Sequence, residues 1–105
     1  MRESYLTPYA YESITVSNTA GGIKLSSSKF TQSGIQACRA LITAEVNEMR
    51  FTLDGTVPTS SVGHLLEPGQ VLNLDNSDEI QQFCAISTGS TSGVLQVTYF
   101  RHILG

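Results

Sequence analysis

Two runs, EMRFTLD (residues 48–54) and GVLQVTYFRH (residues 93–102), constrain the fold of this chain more than any other feature. In the first, Met49, Phe51 and Leu53 fall on one side and Arg50 and Thr52 on the other. In the second, Leu95, Val97 and Tyr99 oppose Gln96, Thr98 and Phe100. An extended chain points successive side chains to opposite faces, whereas a helix would scatter these residues around its axis. Both runs read as half-buried strands, and a strand of this kind needs a second layer to cover its apolar face.

Shorter runs repeat the pattern. SITVSN (residues 13–18) carries Ile14 and Val16 on one face, and GGIKLSS (residues 21–27) carries Ile23 and Leu25. The Gly21-Gly22 pair between them reads as a hairpin or bulged turn. IQACRALITAEV (residues 35–46) has a helical composition, but Cys38, Ala40, Ile42 and Ala44 share one parity, which makes it a strand. VLNLDN (residues 71–76) sets Leu72 and Leu74 against Val71 and Asn73. EIQQFCAIST (residues 79–88) reads as a strand of ambiguous phase: either Ile80, Cys84 and Ile86 face inward, or Phe83 and Ala85 do. DNSDE (residues 75–79) and STGSTSG (residues 87–93) are turn compositions, and the last three strands have the logic of a meander. The sum is an all-β chain, a single compact antiparallel β-sandwich or jelly-roll-like barrel of about seven short strands. A length of 105 residues suits one domain.

The first dozen residues differ from the rest. Tyr5, Tyr9 and Tyr11 crowd there with Leu6 and Pro8, in a stretch with weak alternation. We read residues 1–12 as an extended N-terminal arm and residues 13–105 as the β domain. Such an arm either frays or lies on a neighbour, because tyrosine offers large contact area with a polar tip.

The stretch RFTLDGTVPTSSVGHLLEPGQVLNL (residues 50–74) raises the question of chemistry. A Ser-His-Asp set could be assembled from Ser60 or Ser61, His64 and Asp54, but no nucleophile elbow supports it. Asp54-Gly55 and Pro68-Gly69 are turn signals, so the stretch reads as a corner between sheets. His64 and His102 lack metal-ligand spacing, and Asp75, Asp78 and Glu79 lack the alternation of a calcium loop. The expectation is no catalytic residue, no metal and no cofactor.

Charge narrows the partners. Charged residues make up 14% of the chain, against about 25% typically, and the net charge is -3. Arg2, Lys24, Lys29, Arg39, Arg50 and Arg101 are scattered, which argues against direct binding to nucleic acid. No run approaches the roughly 20 apolar residues of a membrane-spanning helix. MRESYLTPYAYES lacks a signal-peptide core, so folding in a cytoplasm is expected, with Cys38 and Cys84 as reduced, buried thiols. A surface of Ser, Thr, Asn and Gln is cheap to desolvate and suits contact with protein.

RFTLDGTVPT is similar to a turn signature of small β-sandwich appendages on polysaccharide-acting enzymes. A longer resemblance covers roughly the C-terminal half. Asp54, Gly55, Pro58, Thr59, Gly63, His64, Leu65, Leu66, Gly69 and the run Val94–Arg101 follow, in order, the pattern of small structural proteins of tailed bacteriophages. That resemblance implies a non-enzymatic virion protein, assembled in the bacterial host cytoplasm. Its role would be capsid decoration or cement, with the major capsid protein or neighbouring virion subunits as partners and a homo-oligomeric state. The alternatives are a head-tail junction or tail adaptor subunit, and a carbohydrate-binding module, which the absence of Trp disfavours. The expected protein interface joins the arm to the corner: Tyr5, Leu6, Pro8, Tyr9, Tyr11, Val57, Pro58, His64 and Leu65.

Overall fold

The structure is a computed structural model and describes residues 4–104. The chain is mostly β. Its strands are β1 (Ser4–Val16), β2 (Ile23–Lys24), β3 (Thr31–Gln32), β4 (Ile35–Gln36), β5 (Arg39–Glu45), β6 (Met49–Thr52), β7 (His64–Leu66), β8 (Val71–Leu74), β9 (Cys84–Ser87) and β10 (Gly93–Leu104). Two short helices, α1 (Ser27–Phe30) and α2 (Ser77–Gln82), interrupt them. One four-stranded sheet has the order β1-β10-β5-β8, a second has β2-β9-β6-β7, and β3-β4 is a small separate hairpin. Every pairing is antiparallel.

The period-2 runs lie where the pattern places them. Across the first sheet, Ala10, Tyr99, Ala40 and Leu74 form one inward row, and Ile14, Leu95 and Ala44 another. Met49, Phe51, Leu66 and Ala85 line the inward side of the second sheet. The buried members of these rows, with Leu25, Phe30, Ile80 and Phe83, form one hydrophobic cluster, against which Ala10 packs. Small side chains make room for large ones: Ala40 stands opposite Tyr99, whose ring centre reaches to 6.1 Å from that of Phe30.

Five features depart from the sequence expectations. First, there are ten strands among the described residues rather than about seven, because β2, β3 and β4 have only two residues each. Second, the last strands are not a meander: β8 and β10 flank β5 in the first sheet, and β9 lies in the second. Third, Gly21-Gly22 does not join paired neighbours, because β1 and β2 belong to different sheets. The chain crosses there through a turn closed by Gly22 N–H donating to Thr19 O at 3.1 Å. Gly22 has φ +69°, and a Cβ on it would lie 2.8 Å from Ala85 O and 2.9 Å from Cys84 Sγ. We expect Gly22→Ala to cost about 2 kcal/mol, from left-handed strain and displaced β9 backbone. Urea denaturation measures this; an unchanged midpoint would mean the crossing does not press on β9.

The fourth departure is α2. Residues 75–82, read as a turn followed by a strand, form a capped helix. Glu79 N–H donates to Asn76 Oδ1 at 2.9 Å, and Glu79 Oε1 accepts from Asp75 N–H at 2.7 Å. This reciprocal capping satisfies amide donors that a helix start otherwise leaves unpaired. It also resolves the phase of the segment. Phe83 and Ala85 enter the core, while Cys84 and Ile86 are buried on the opposite side of β9. Burial on both faces is why β9 shows no alternation in sequence.

Residues 4–12, expected as an arm apart from the domain, are continuous with the domain's edge strand. β1 pairs with β10 from Ser4↔Leu104 to Val16↔Gly93, with a bulge at Tyr9 where the register shifts between Pro8 and Ala10. Weak alternation in the sequence is the mark of that bulge and of Pro8, which donates no ladder hydrogen bond. β5 accompanies β10 only from Val94 to Phe100, so the first residues of β1 and the last of β10 continue as a two-stranded ribbon. β1 alone spans about 43 Å at ~3.3 Å per residue. That is most of the molecule's 51 Å long axis; the other two dimensions are 24 and 21 Å.

Glu12 ties this strand to the core. Tyr99 is fully buried and its hydroxyl donates to Glu12 Oε2 at 2.5 Å. The same carboxylate accepts from Ser26 N–H at 3.1 Å and Ser26 Oγ–H at 2.6 Å, just ahead of α1. Burial first, then the hydrogen bond to Glu12 and its charge, push the Tyr99 hydroxyl well above its ordinary value of 10.0. Burial also raises the Cys84 thiol above 9.0. Groups whose folded pKa is raised stabilise fully below their unfolded pKa and lose that contribution as pH climbs past it. Stability is therefore expected to hold to about pH 9 and then fall, by up to ~1.4 kcal/mol per pH unit for each group. Denaturation of Tyr99→Phe at alkaline pH checks the tyrosine's share: the slope should flatten.

Candidate protein-interaction surface

The corner between β6 and β7 is braced by its own polar groups. Thr56 N–H donates to Asp54 Oδ1 at 3.0 Å, and Thr52 Oγ1–H donates to Thr56 O at 2.5 Å. Thr59 Oγ1 accepts from the N–H groups of Ser61 and Val62 at 3.2 and 3.0 Å. Arg50, on the polar side of β6, reaches under the loop: its Nε donates to Ser60 O at 3.2 Å and its Nη1 to Gly63 O at 3.0 Å. Pro58 is fully buried and pegs the loop to the body. Sequence reading placed Arg50 on the polar face of a strand and missed this role; its nearness to a Ser-rich corner was the available signal.

Two clefts adjoin this corner. The first, of about 470 Å³, is lined by Thr52, Leu53, Asp54, Thr56, Gly63 and His64. Hydrogen bonds from Thr56, chiefly, hold the Asp54 carboxyl below its ordinary value, and His64 adds a smaller pull in the same direction. The His64 ring leans against Phe51, with centres 5.4 Å apart. Asp54 and His64 thus share a cleft that neither Ser60 nor Ser61 lines. The second cleft, of about 440 Å³, runs between the residue 18–21 loop and Val57–Ser60, over Ile86 and Ser87. Among the described residues no three His, Cys, Asp or Glu side chains gather as a metal set. His102 is on β10 opposite Leu6, on a different sheet from His64.

The residues expected to form one interface fall in three places. Leu6, Pro8 and Tyr11 face outward from the first sheet or its ribbon; Tyr5, 52% exposed, takes the other side of the ribbon. Tyr9, on the bulge, packs against the core and its hydroxyl donates to Phe30 O at 2.8 Å, so it is committed within the chain. Leu65 is exposed beside Arg50 on the outer face of the second sheet, His64 is exposed but stands opposite Phe51 on the inward-facing side, Val57 is exposed on the corner, and Pro58 is inside. The arm residues thus belong to the first sheet and its ribbon, and the corner residues to β7 of the second sheet and the loop before it.

The outer face of the first sheet was not singled out in the sequence. Its rows are Tyr11, Thr98, Leu41 and Asn73; Ser13, Gln96, Thr43 and Val71; and Pro8, Phe100 and Arg39. Tyr11, Leu41 and Val71 are exposed, and the Tyr11 hydroxyl meets Gln96 Oε1. Ionic groups there are few: Arg39 lies 3.6 Å from Asp75, and Glu45 accepts from Gln96 Nε2 at 3.1 Å. The mixture of tyrosine, aliphatic and uncharged polar side chains is that of an interface core.

Both cysteines are free thiols, Cys38 in the bend just before β5 and Cys84 in β9. Cys38 Sγ lies 3.6 Å from Phe100 O and Cys84 Sγ 3.3 Å from Gly21 O. No helix of the described residues is long and apolar enough to cross a membrane. No protein-family model matches this chain, and no similar curated protein or solved structure was found.

Proposed function

We propose that this chain is a non-enzymatic structural subunit of a tailed-bacteriophage particle, a decoration or cement protein that works through protein–protein contact. The observation that carries the reading is the broad, charge-poor outer face of the first sheet with Tyr11, Leu41 and Val71 exposed on it. The terminal ribbon extends this face with Leu6 and Pro8, and the resemblance of the C-terminal half supplies the phage context. The major capsid protein or neighbouring virion subunits are the partners this reading names.

The fold we infer is a single jelly roll. Set aside the β3-β4 hairpin, and eight strands remain. The first pairs with the last (β1·β10), the second with the seventh (β2·β9), the third with the sixth (β5·β8) and the fourth with the fifth (β6·β7). This nesting is one long antiparallel hairpin rolled upon itself, with β10·β5 and β9·β6 closing the roll into two sheets. Jelly rolls of eight strands recur in viral capsid and lectin domains. Fold alone does not decide between those uses. Supporting the structural use, the residues behind the resemblance here do scaffold work: Gly55, Gly63 and Gly69 adopt positive φ, and Val94–Arg101 is the centre of β10.

Copy number tests the reading. Quantitative mass spectrometry of purified particles should find hundreds of copies for a decoration protein. A dozen or fewer would move it to the neck or tail, and none would overturn the virion assignment.

A further inference from the structure

Asp54-Gly55 is the only place in this chain where an Asp or Asn precedes glycine. The pair sits on an exposed corner, and Gly55 has φ +89°, a conformation that suits glycine and strains other residues. With no Cβ beside it, the Gly55 nitrogen is open to attack on the Asp54 side chain. A bond from that nitrogen to Asp54 Cγ closes a succinimide ring.

We propose that Asp54-Gly55 is a site of spontaneous backbone isomerisation, and that Thr56 is the positioning residue that holds it closed. The chemistry needs only water. The Gly55 nitrogen gives up its proton and bonds to Asp54 Cγ; the Cγ–OH bond breaks, and the hydroxyl leaves with that proton as water. The succinimide then takes back one water. When the ring opens at the Asp54 main-chain carbonyl, the backbone runs through Cβ and Cγ, and the former main-chain carbonyl becomes the free carboxylate. The mass is unchanged, and the chain is one methylene longer at the corner. That change would lengthen the wall of the His64 cleft and take away the acceptor that Thr56 uses.

A neutral carboxyl reacts in this way and an ionised one does not, because it has no hydroxyl to lose. Thr56 opposes the step on that ground. Its N–H donates to Asp54 Oδ1 at 3.0 Å, and its side-chain hydroxyl donates to the same carboxylate. A carboxylate that accepts hydrogen bonds keeps its charge to lower pH. Asp54 accordingly lies below its ordinary value of 3.8, with the Thr56 hydroxyl as the first cause and the Thr56 N–H as the second. Thr56 is itself held, since its carbonyl accepts from Thr52 Oγ1–H at 2.5 Å and buried Pro58 fixes the loop just beyond it.

The inference goes beyond the virion reading and stands or falls separately. The test incubates the purified full chain for weeks in mildly acidic buffer beside the free peptide RFTLDGTVPT. Peptide mapping with electron-transfer fragmentation counts isoaspartate, which intact mass does not reveal. The peptide should accumulate isoaspartate, and the folded wild type should lag well behind it. Thr56→Val removes the hydroxyl and should speed the reaction in the folded chain about threefold, the modest factor that a hydrogen bond to an exposed ion carries. Thr56→Ser keeps both donors and should stay as slow as the wild type. Thermal melts show that each variant is folded; Thr56 is exposed, so neither change touches the core. A folded wild type as fast as the peptide would overturn the proposal. So would a Thr56→Val chain no faster than the wild type, or a Thr56→Ser chain as fast as Thr56→Val.

Discussion

Deletion of residues 2–11 is expected to lower the stability of the whole domain by about 3–5 kcal/mol, the range for removing a large packed aromatic side chain. The deletion takes away Tyr9, its contact with the core and its hydrogen bond to Phe30 O. It also strips β10 of its β1 partner from Thr98 to Leu104. For a chain of this size, such a loss corresponds to a melting temperature lower by more than about 12 °C. Differential scanning calorimetry of the shortened chain gives the answer. An unchanged transition would mean that residues 2–11 are an appendage independent of the domain.

Glu12→Ala is the second large effect. One carboxylate satisfies the buried Tyr99 hydroxyl, Ser26 N–H and Ser26 Oγ–H, and so joins β1, β10 and the start of α1. Removing it leaves donors without acceptors, at about 1–3 kcal/mol for each that water cannot reach. We expect a total loss of about 2–4 kcal/mol, and a smaller one for Glu12→Gln, which keeps an acceptor oxygen. The two changes Glu12→Ala and Tyr99→Phe should be strongly non-additive in a double-mutant cycle, because each removes the other's partner. Additive losses, measured by chemical denaturation, would show that the hydrogen bond contributes nothing to stability.

What was legible in the sequence follows from how each residue is used. β5, β6, β8 and β10 have one face in the core and one outside, so Ala40, Ile42, Met49, Phe51, Leu74, Leu95 and Val97 announced their direction by period alone. β9 is covered on both sides, so its alternation vanished. α2 is six residues long, too short for a helical period, and only Asn76 with Glu79 marked its start. Sheet order was not legible, since the pairing of β1 with β10 joins residues nearly a chain length apart. The same gap hid the candidate surface. Tyr11, Thr98, Leu41 and Asn73 form one row only after three strand pairings set their register. The corner, by contrast, is local, and Asp54-Gly55 signalled it directly; what the sequence withheld was that Pro58 turns inward and that Arg50 holds the loop from below.

The central claim is that this chain acts by occupying a place in a particle. Electron cryomicroscopy of tailed-phage particles assembled with this chain tests it most directly. The account predicts a density of about 51 × 24 × 21 Å repeated over the capsid surface, with the Leu41 face or the terminal ribbon against a neighbouring subunit. Particles in which no such density occurs, or in which that face and ribbon both point into solvent, would contradict it.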